Sequence, residues 1–127
     1  SSKAVKRGIA QGVLKVQGDA KDLCPVDDGL LRNSIHADVG QQDGQIVGKV
    51  STNVHYAPYV EFGTGQRGEE SPAPPRYDGE LSYRQDWEGM PAQPFLFPAI
   101  KQNEGYVRQA VADSVQREIN KITGSGS

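Results

Sequence analysis

The chain has 127 residues, with 14 basic and 16 acidic side chains, a net charge of −2 and a mean hydropathy of −0.62. That balance speaks against holding nucleic acid or an anionic membrane by charge, because phosphate-neutralising proteins carry a basic excess. The single cysteine, Cys24, excludes an internal disulfide framework and fits a reducing compartment, and no apolar run nears the ~18 residues of a membrane helix.

Hydrophobic periodicity predicts an N-terminal amphipathic helix, with Val5, Ile9, Val13, Val16, Ala20 and Leu23 at three- and four-residue steps. Gly8, Gly12 and Gly18 each weaken an isolated helix by about 1 kcal/mol relative to alanine, so packing has to hold it. Pro25 stops it. Asp28 then suits the cap of a short turn through the N–H groups near Leu30 and Leu31, and it stands four residues before Arg32, an ion-pairing distance on a helix.

Residues 34–62 read as three strands. Ile35, Ala37 and Val39 alternate with Ser34, His36 and Asp38; Asp43-Gly44 supplies a hairpin turn; Ile46, Val47 and Val50 mark the return. Val54, Tyr56, Pro58, Val60 and Phe62 are expected on one face of a third strand. Because Pro58 cannot donate to a ladder, that strand belongs at an edge, where another chain could pair.

From Gly63 to Gln93 periodicity is lost, and this long loop has five glycines and four prolines. A weak hairpin is expected around Asp78-Gly79 beside Tyr77, Leu81 and Tyr83, and Trp87 is an anchor against either a partner or its own domain. Segment 61–90 has seven acidic residues against three basic, a local charge of −4. A last helix is expected from Phe97 to Ile122, with Pro98 in its first turn and Ile100, Val107, Val111, Val115, Ile119 and Ile122 as its stripe. The expected fold class is α+β: an antiparallel sheet of three to four strands, packed by an N-terminal and a C-terminal helix, with a long loop before the last helix. Residues 1–123 are expected to form one domain, and 124–127 to be a linker or tag remnant.

Catalytic signals are weak. Gly63-Thr64-Gly65-Gln66-Arg67-Gly68 spells G-x-G-x-x-G, but Glu69-Glu70-Ser71-Pro72 follows where a pyrophosphate-binding helix should open. Cys24 with His36 or His55 could be drawn as a nucleophile and base, yet a thiol before a proline reads better as a small packed side chain. One cysteine cannot supply a structural zinc site, the two histidines lack a metal-binding helical spacing, and both read as outward polar strand residues. Pro72-Ala73-Pro74-Pro75 has the PxxP form, for which stiffening of the loop is the simpler role. No catalytic, cofactor or metal residue is assigned, and no small-molecule substrate or cofactor is expected.

Three blocks, in order, resemble the siphophage neck or tail-completion family of head–tail joining proteins. Pro25-Val26-Asp27-Asp28-Gly29-Leu30-Leu31-Arg32-Asn33-Ser34-Ile35 is similar to the family's P-V-D-T-G-x-L-R-x-S-I. Tyr56-Ala57-Pro58-Tyr59-Val60-Glu61-Phe62-Gly63-Thr64 is similar to Y-A-x-Y-V-E-F-G-T, and Pro91-Ala92-Gln93-Pro94-Phe95-Leu96-Phe97-Pro98-Ala99-Ile100 to P-A-x-P-F-L-x-P-A-L. Asp28 departs from the usual threonine, but both residues cap helices. Cys24 stands where a small residue such as alanine is common.

The resemblance implies a structural virion protein, not an enzyme, that completes the tail or joins it to the DNA-filled head. It implies copies in a sixfold or twelvefold ring, other neck or tail proteins as partners, assembly in the host cytoplasm, and DNA at most passing through the channel. Alternatives are a head-closure or tail-terminator subunit, a Cys24-dependent hydrolase, or a DNA-binding module. The candidate motif and assembly residues are Asp27, Asp28, Gly29, Arg32, Tyr56, Pro58, Glu61, Phe62, Gly63, Thr64, Trp87, Phe95 and Leu96. Among them Gly63 should permit a sharp exit, Thr64 should bond locally, Phe95 and Leu96 should plug the core, and Glu61 is expected to pair with Arg32.

Overall fold

The computed structural model describes residues 2–71 and 84–124. Its elements in chain order are α1 (Ser2–Leu23), α2 (Gly29–Asn33), β1 (His36–Gln42), β2 (Gln45–Ser51), α3 (Ala57–Phe62), α4 (Gly65–Glu70), α5 (Leu96–Gln102) and α6 (Glu104–Thr123). The class is α+β, with α1 in the centre: the β1–β2 hairpin packs on it, and α6 runs antiparallel beside it.

Close approach explains Gly8 and Gly12 of the three glycines that weaken α1, whereas Gly18 faces open space. A Cβ at Gly8 would stand 2.5 Å from Val111 Cα, and one at Gly12 would stand 2.8 Å from a Val107 methyl. Missing side chains let the two backbones touch, and Ser114 Oγ donates to the Ala4 carbonyl at 2.7 Å to lock the register. The buried face of α1 is therefore Ala4, Gly8, Gly12, Val13, Val16 and Ala20, while Leu23 at the end of the expected stripe is exposed.

The hairpin pairs His36 with Ser51 through to Gln42 with Gln45. Its two-residue turn, Asp43-Gly44, has positive φ at both positions, the geometry that matches strand twist. Among the described residues the sheet has two strands, not three or four. The segment expected as a third strand is helix α3. Pro58 sits in its first turn, and Ala57 and Glu61, four apart, are buried while Pro58 and Tyr59 are exposed, so helical spacing overrides the alternation. The idea of an edge strand at Pro58 falls with it. Phe62 ends this helix rather than a strand, and Gly63 makes the exit at φ +78° as expected.

The long loop is also partly structured. Gly65–Glu70 forms α4, and Thr64 pairs with Met90 across the segment (N to O 2.8 Å, and 3.0 Å in return). The G-x-G-x-x-G run thus follows a helix, and α4 opens at Gly65 rather than after the third glycine, so the strand–turn–helix setting of a dinucleotide site is missing. The Asp78-Gly79 hairpin and the PxxP run lie outside the described residues.

The single C-terminal helix expected from Phe97 is broken into α5 and α6 at Asn103. This buried amide donates to the Ala99 carbonyl at 2.7 Å and to Asp19 of α1 at 2.8 Å, so the bend is tied to the first helix. The core gathers Val16, Ala20, Cys24, Leu31, Ile35, Ala57, Phe95 and Ala99 where α1, α2, α3 and α5 meet. Phe95 is fully buried and Leu96 packs against the cluster, as expected of residues that plug the core.

Candidate functional site

The three sequence blocks converge in space. Asp28 caps α2 by accepting from the Leu31 N–H at 3.0 Å, and the same oxygen accepts from the Tyr56 hydroxyl at 2.8 Å. That second bond ties the first block to the second, and donation to a carboxylate pushes the Tyr56 phenol above its ordinary value. The ion pair foreseen between Asp28 and Arg32 is not made. Arg32 instead donates to the carbonyls of Lys21 (3.3 Å), Pro25 (3.2 Å) and Val26 (3.1 Å), closing the end of α1 against α2.

Glu61 does not pair with Arg32 either. Its buried carboxylate accepts three backbone N–H groups at the start of α5, from Phe95 (3.1 Å), Leu96 (2.9 Å) and Phe97 (3.0 Å). These are groups a helix start leaves open, and a carboxylate there also meets the positive end of the helix dipole. Glu61 is thus a remote cap that joins the second block to the third. The Gln93 N–H to Val60 carbonyl bond, at 2.8 Å, reinforces the junction.

Where the blocks meet, a cleft of about 480 Å³ opens between Pro25, Asp27 and Asp28 on one side and Tyr56, Tyr59, Val60, Thr64, Met90, Pro91 and Gln93 on the other. Tyr59 (60 % exposed) and Met90 (55 %) stand at its mouth, and Asp27 is exposed beside them. Thr64 bonds locally through its carbonyl, which accepts from the Gly68 N–H at 2.9 Å, while its hydroxyl reaches across the chain and accepts from the Met90 N–H at 2.9 Å. Gly29 opens α2. Trp87 is half exposed, and its carbonyl accepts from Gln66 of α4. A second groove, lined by Val50, Val54, Pro58, Phe62, Phe97 and Ile100, is more apolar and lies between the end of β2, α3 and α5.

Among the described residues no hydrogen bond joins Cys24 to His36 or His55. Cys24 is buried in the core, and desolvation raises its thiol above the ordinary value, the opposite of what a nucleophile needs. His36 lies exposed on β1, whereas His55 lies in the turn before α3, edge-on to the Tyr56 ring. Among the described residues no group of three or more His, Cys, Asp or Glu side chains is placed to hold a metal ion, and no helix is long and apolar enough to cross a membrane.

Residues 1–63 match the family model HK97-gp10_like, whose description is "Bacteriophage HK97-gp10, putative tail-component". Residues 1–63 belong to this phage tail-component family. No curated protein and no solved structure matches it. The tail-component match spans α1, α2, the hairpin and α3, and ends on the glycine that caps α3. It therefore contains Asp27, Asp28, Arg32, Tyr56, Pro58, Glu61, Phe62 and Gly63, while the Met90–Gln93 wall of the cleft and Phe95–Leu96 lie beyond it. Tyr59 and Met90 are the residues that sequence reasoning did not single out. Tyr59 was readable as an aromatic inside a matched block; Met90 carried no signal.

Proposed function

We propose that this chain is a structural subunit of the phage neck, completing the upper end of the tail or joining it to the DNA-filled head as copies in a closed ring. The observation that carries this reading is the tail-component match over residues 1–63. It falls on a body whose motif carboxylates, Asp28 and Glu61, bind backbone N–H groups instead of facing each other across a cavity. Their role is to hold short helices in place, which suits a scaffold. The cleft beside them, with an exposed tyrosine and methionine at its mouth, has the character of a docking surface.

The test is a nonsense mutation in the gene within the phage or prophage that carries it, with lysates viewed by electron microscopy. DNA-filled heads and unjoined tails are expected, with joining restored when the purified protein is added. Heads that empty would place the subunit at head closure, and tails of irregular length at tail termination. Normal, infectious particles without the protein would overturn the proposal.

A further inference from the structure

The two ends of the molecule are chemically opposite. At one end, beyond the Ser114–Ala4 contact, α6 continues through Arg117 to Thr123 with Ile119 (45 % exposed) and Ile122 (77 %) uncovered. Arg117 and Lys121 flank these isoleucines, Lys3, Lys6 and Arg7 stand in the first two turns of the antiparallel α1, and none of the five takes part in an ion pair among the described residues. Three basic residues in the first two turns of α1, with no acidic residue in the first turn, oppose its own dipole. At the other end is the cleft, where exposed Asp27 adjoins Tyr59 and Met90. Here too the apolar side chains are uncovered and no described residue neutralises Asp27.

The 22 residues of α1 separate the two ends by roughly 33 Å at a 1.5 Å rise. One copy cannot fill its own cleft with its own α6 tip. The geometry points to a head-to-tail contact in which the Arg117–Ile122 turn of α6 in one copy docks in the Asp27–Tyr59–Met90 cleft of a second copy of this chain. Ile119 and Ile122 enter against Tyr59 and Met90, as an amphipathic helix lies in a groove, and Lys121 or Arg117 meets Asp27. Two different patches meet, so the contact is heterologous and repeats from copy to copy, which is what ring closure requires. The inference deepens the ring reading and rests on it, but it is measured on the purified chain alone.

Exposed Asp27 and Lys121 allow a charge swap without disturbing the core. The wild-type chain is expected to self-associate with concentration in sedimentation velocity, and less so as salt shortens the ~10 Å screening length of 0.1 M solution. D27K, with tip and cleft both basic, and K121E, with tip and cleft both acidic in character, should each raise the dissociation constant about tenfold. Mixing the two variants should restore association, since each tip then meets a cleft of opposite sign. The pair I119E/I122E should weaken it by more than about a hundredfold. Circular dichroism and melting should be unchanged in D27K and K121E. A wild-type chain that stays monomeric up to its solubility limit overturns the inference, as do reversals that leave association intact or a mixture that recovers nothing. Any of these would leave the tail role standing, whereas normal particles from the nonsense mutant would remove that role without touching the sedimentation result.

Discussion

Removing the Glu61 carboxylate tests whether the second and third blocks are held together as described. Glu61→Ala strips the acceptor from three N–H groups, those of Phe95, Leu96 and Phe97. A buried donor left without a partner costs about 1–3 kcal/mol, so three of them bound the loss at roughly 3–9 kcal/mol. Phe95 is fully buried, but Leu96 and Phe97 are partly open to water, which can replace some of what is lost. A loss of about 3–4 kcal/mol is therefore expected, against a total stability of order 5–15 kcal/mol for such domains. Glu61→Gln should fall between the two. Its carbonyl can still accept from Phe95 and Leu96, which share Oε1, but its NH₂ faces the Phe97 N–H, donor against donor, for a loss of about 2 kcal/mol. Urea unfolding with a shared slope gives the ranking wild type, Gln, Ala. Faster hydrogen exchange at the Phe95–Phe97 amides should accompany it. An alanine variant within about 1 kcal/mol of wild type, or a glutamine variant equal to wild type, would refute the remote cap.

Gly8→Ala should pry α1 from α6, because its Cβ would lie 2.5 Å from Val111 Cα and backbone cannot rotate away; a loss of about 1–3 kcal/mol is expected in thermal or urea unfolding, and a neutral or stabilising result would refute the close packing. Asp19, whose carboxyl is held below its ordinary 3.8 by the Lys15 ammonium first and the Asn103 amide next, ties α1 to the α5–α6 bend. A carboxylate pKa lowered on folding contributes stability above pH 3.8 that is lost as pH falls through the lowered value. Asp19→Asn should therefore cost about 1 kcal/mol near neutrality, with the gap to wild type closing as unfolding is measured toward pH 3; a gap independent of pH would refute the assignment.

Much of this fold was legible because its elements have one period each. The α1 stripe, the β1–β2 alternation around Asp43-Gly44 and the Asp28 cap all follow from local chemistry. The 54–62 segment was not legible, since Val54, Tyr56, Val60 and Phe62 satisfy a strand while Ala57, Val60 and Glu61 satisfy a helix. Pro58 is compatible with either at a start, and the tertiary bond from Glu61 to α5 decided between them. The break at Asn103 was hidden for the same reason: it depends on Asp19, 84 positions away. In the cleft, blocks one and two named Asp27, Asp28 and Tyr56, but the Met90 wall arrives through the Thr64–Met90 bridge, which no local pattern announces.

Helices of five to seven residues, such as α2, α3, α4 and α5, cannot persist by themselves, because nucleation costs more than one or two turns return. Each therefore needs an outside anchor, and the motif residues supply it. Asp28 caps α2 and holds Tyr56 at the entry of α3, Arg32 closes α2 onto the end of α1, Glu61 caps α5, and Thr64 pins the strand-like Met90 segment beside α4. Folding thus accounts for Asp28, Arg32, Tyr56, Glu61, Gly63 and Phe95. It does not account for Tyr59 and Met90 at one end or Ile119 and Ile122 at the other, which lose nothing if the isolated chain is all there is to stabilise. Apolar side chains held in the open by such an anchored framework are what a subunit needs to meet its neighbours. In this chain, function is therefore to be sought among uncovered apolar side chains such as these rather than among the residues that hold the short helices in place.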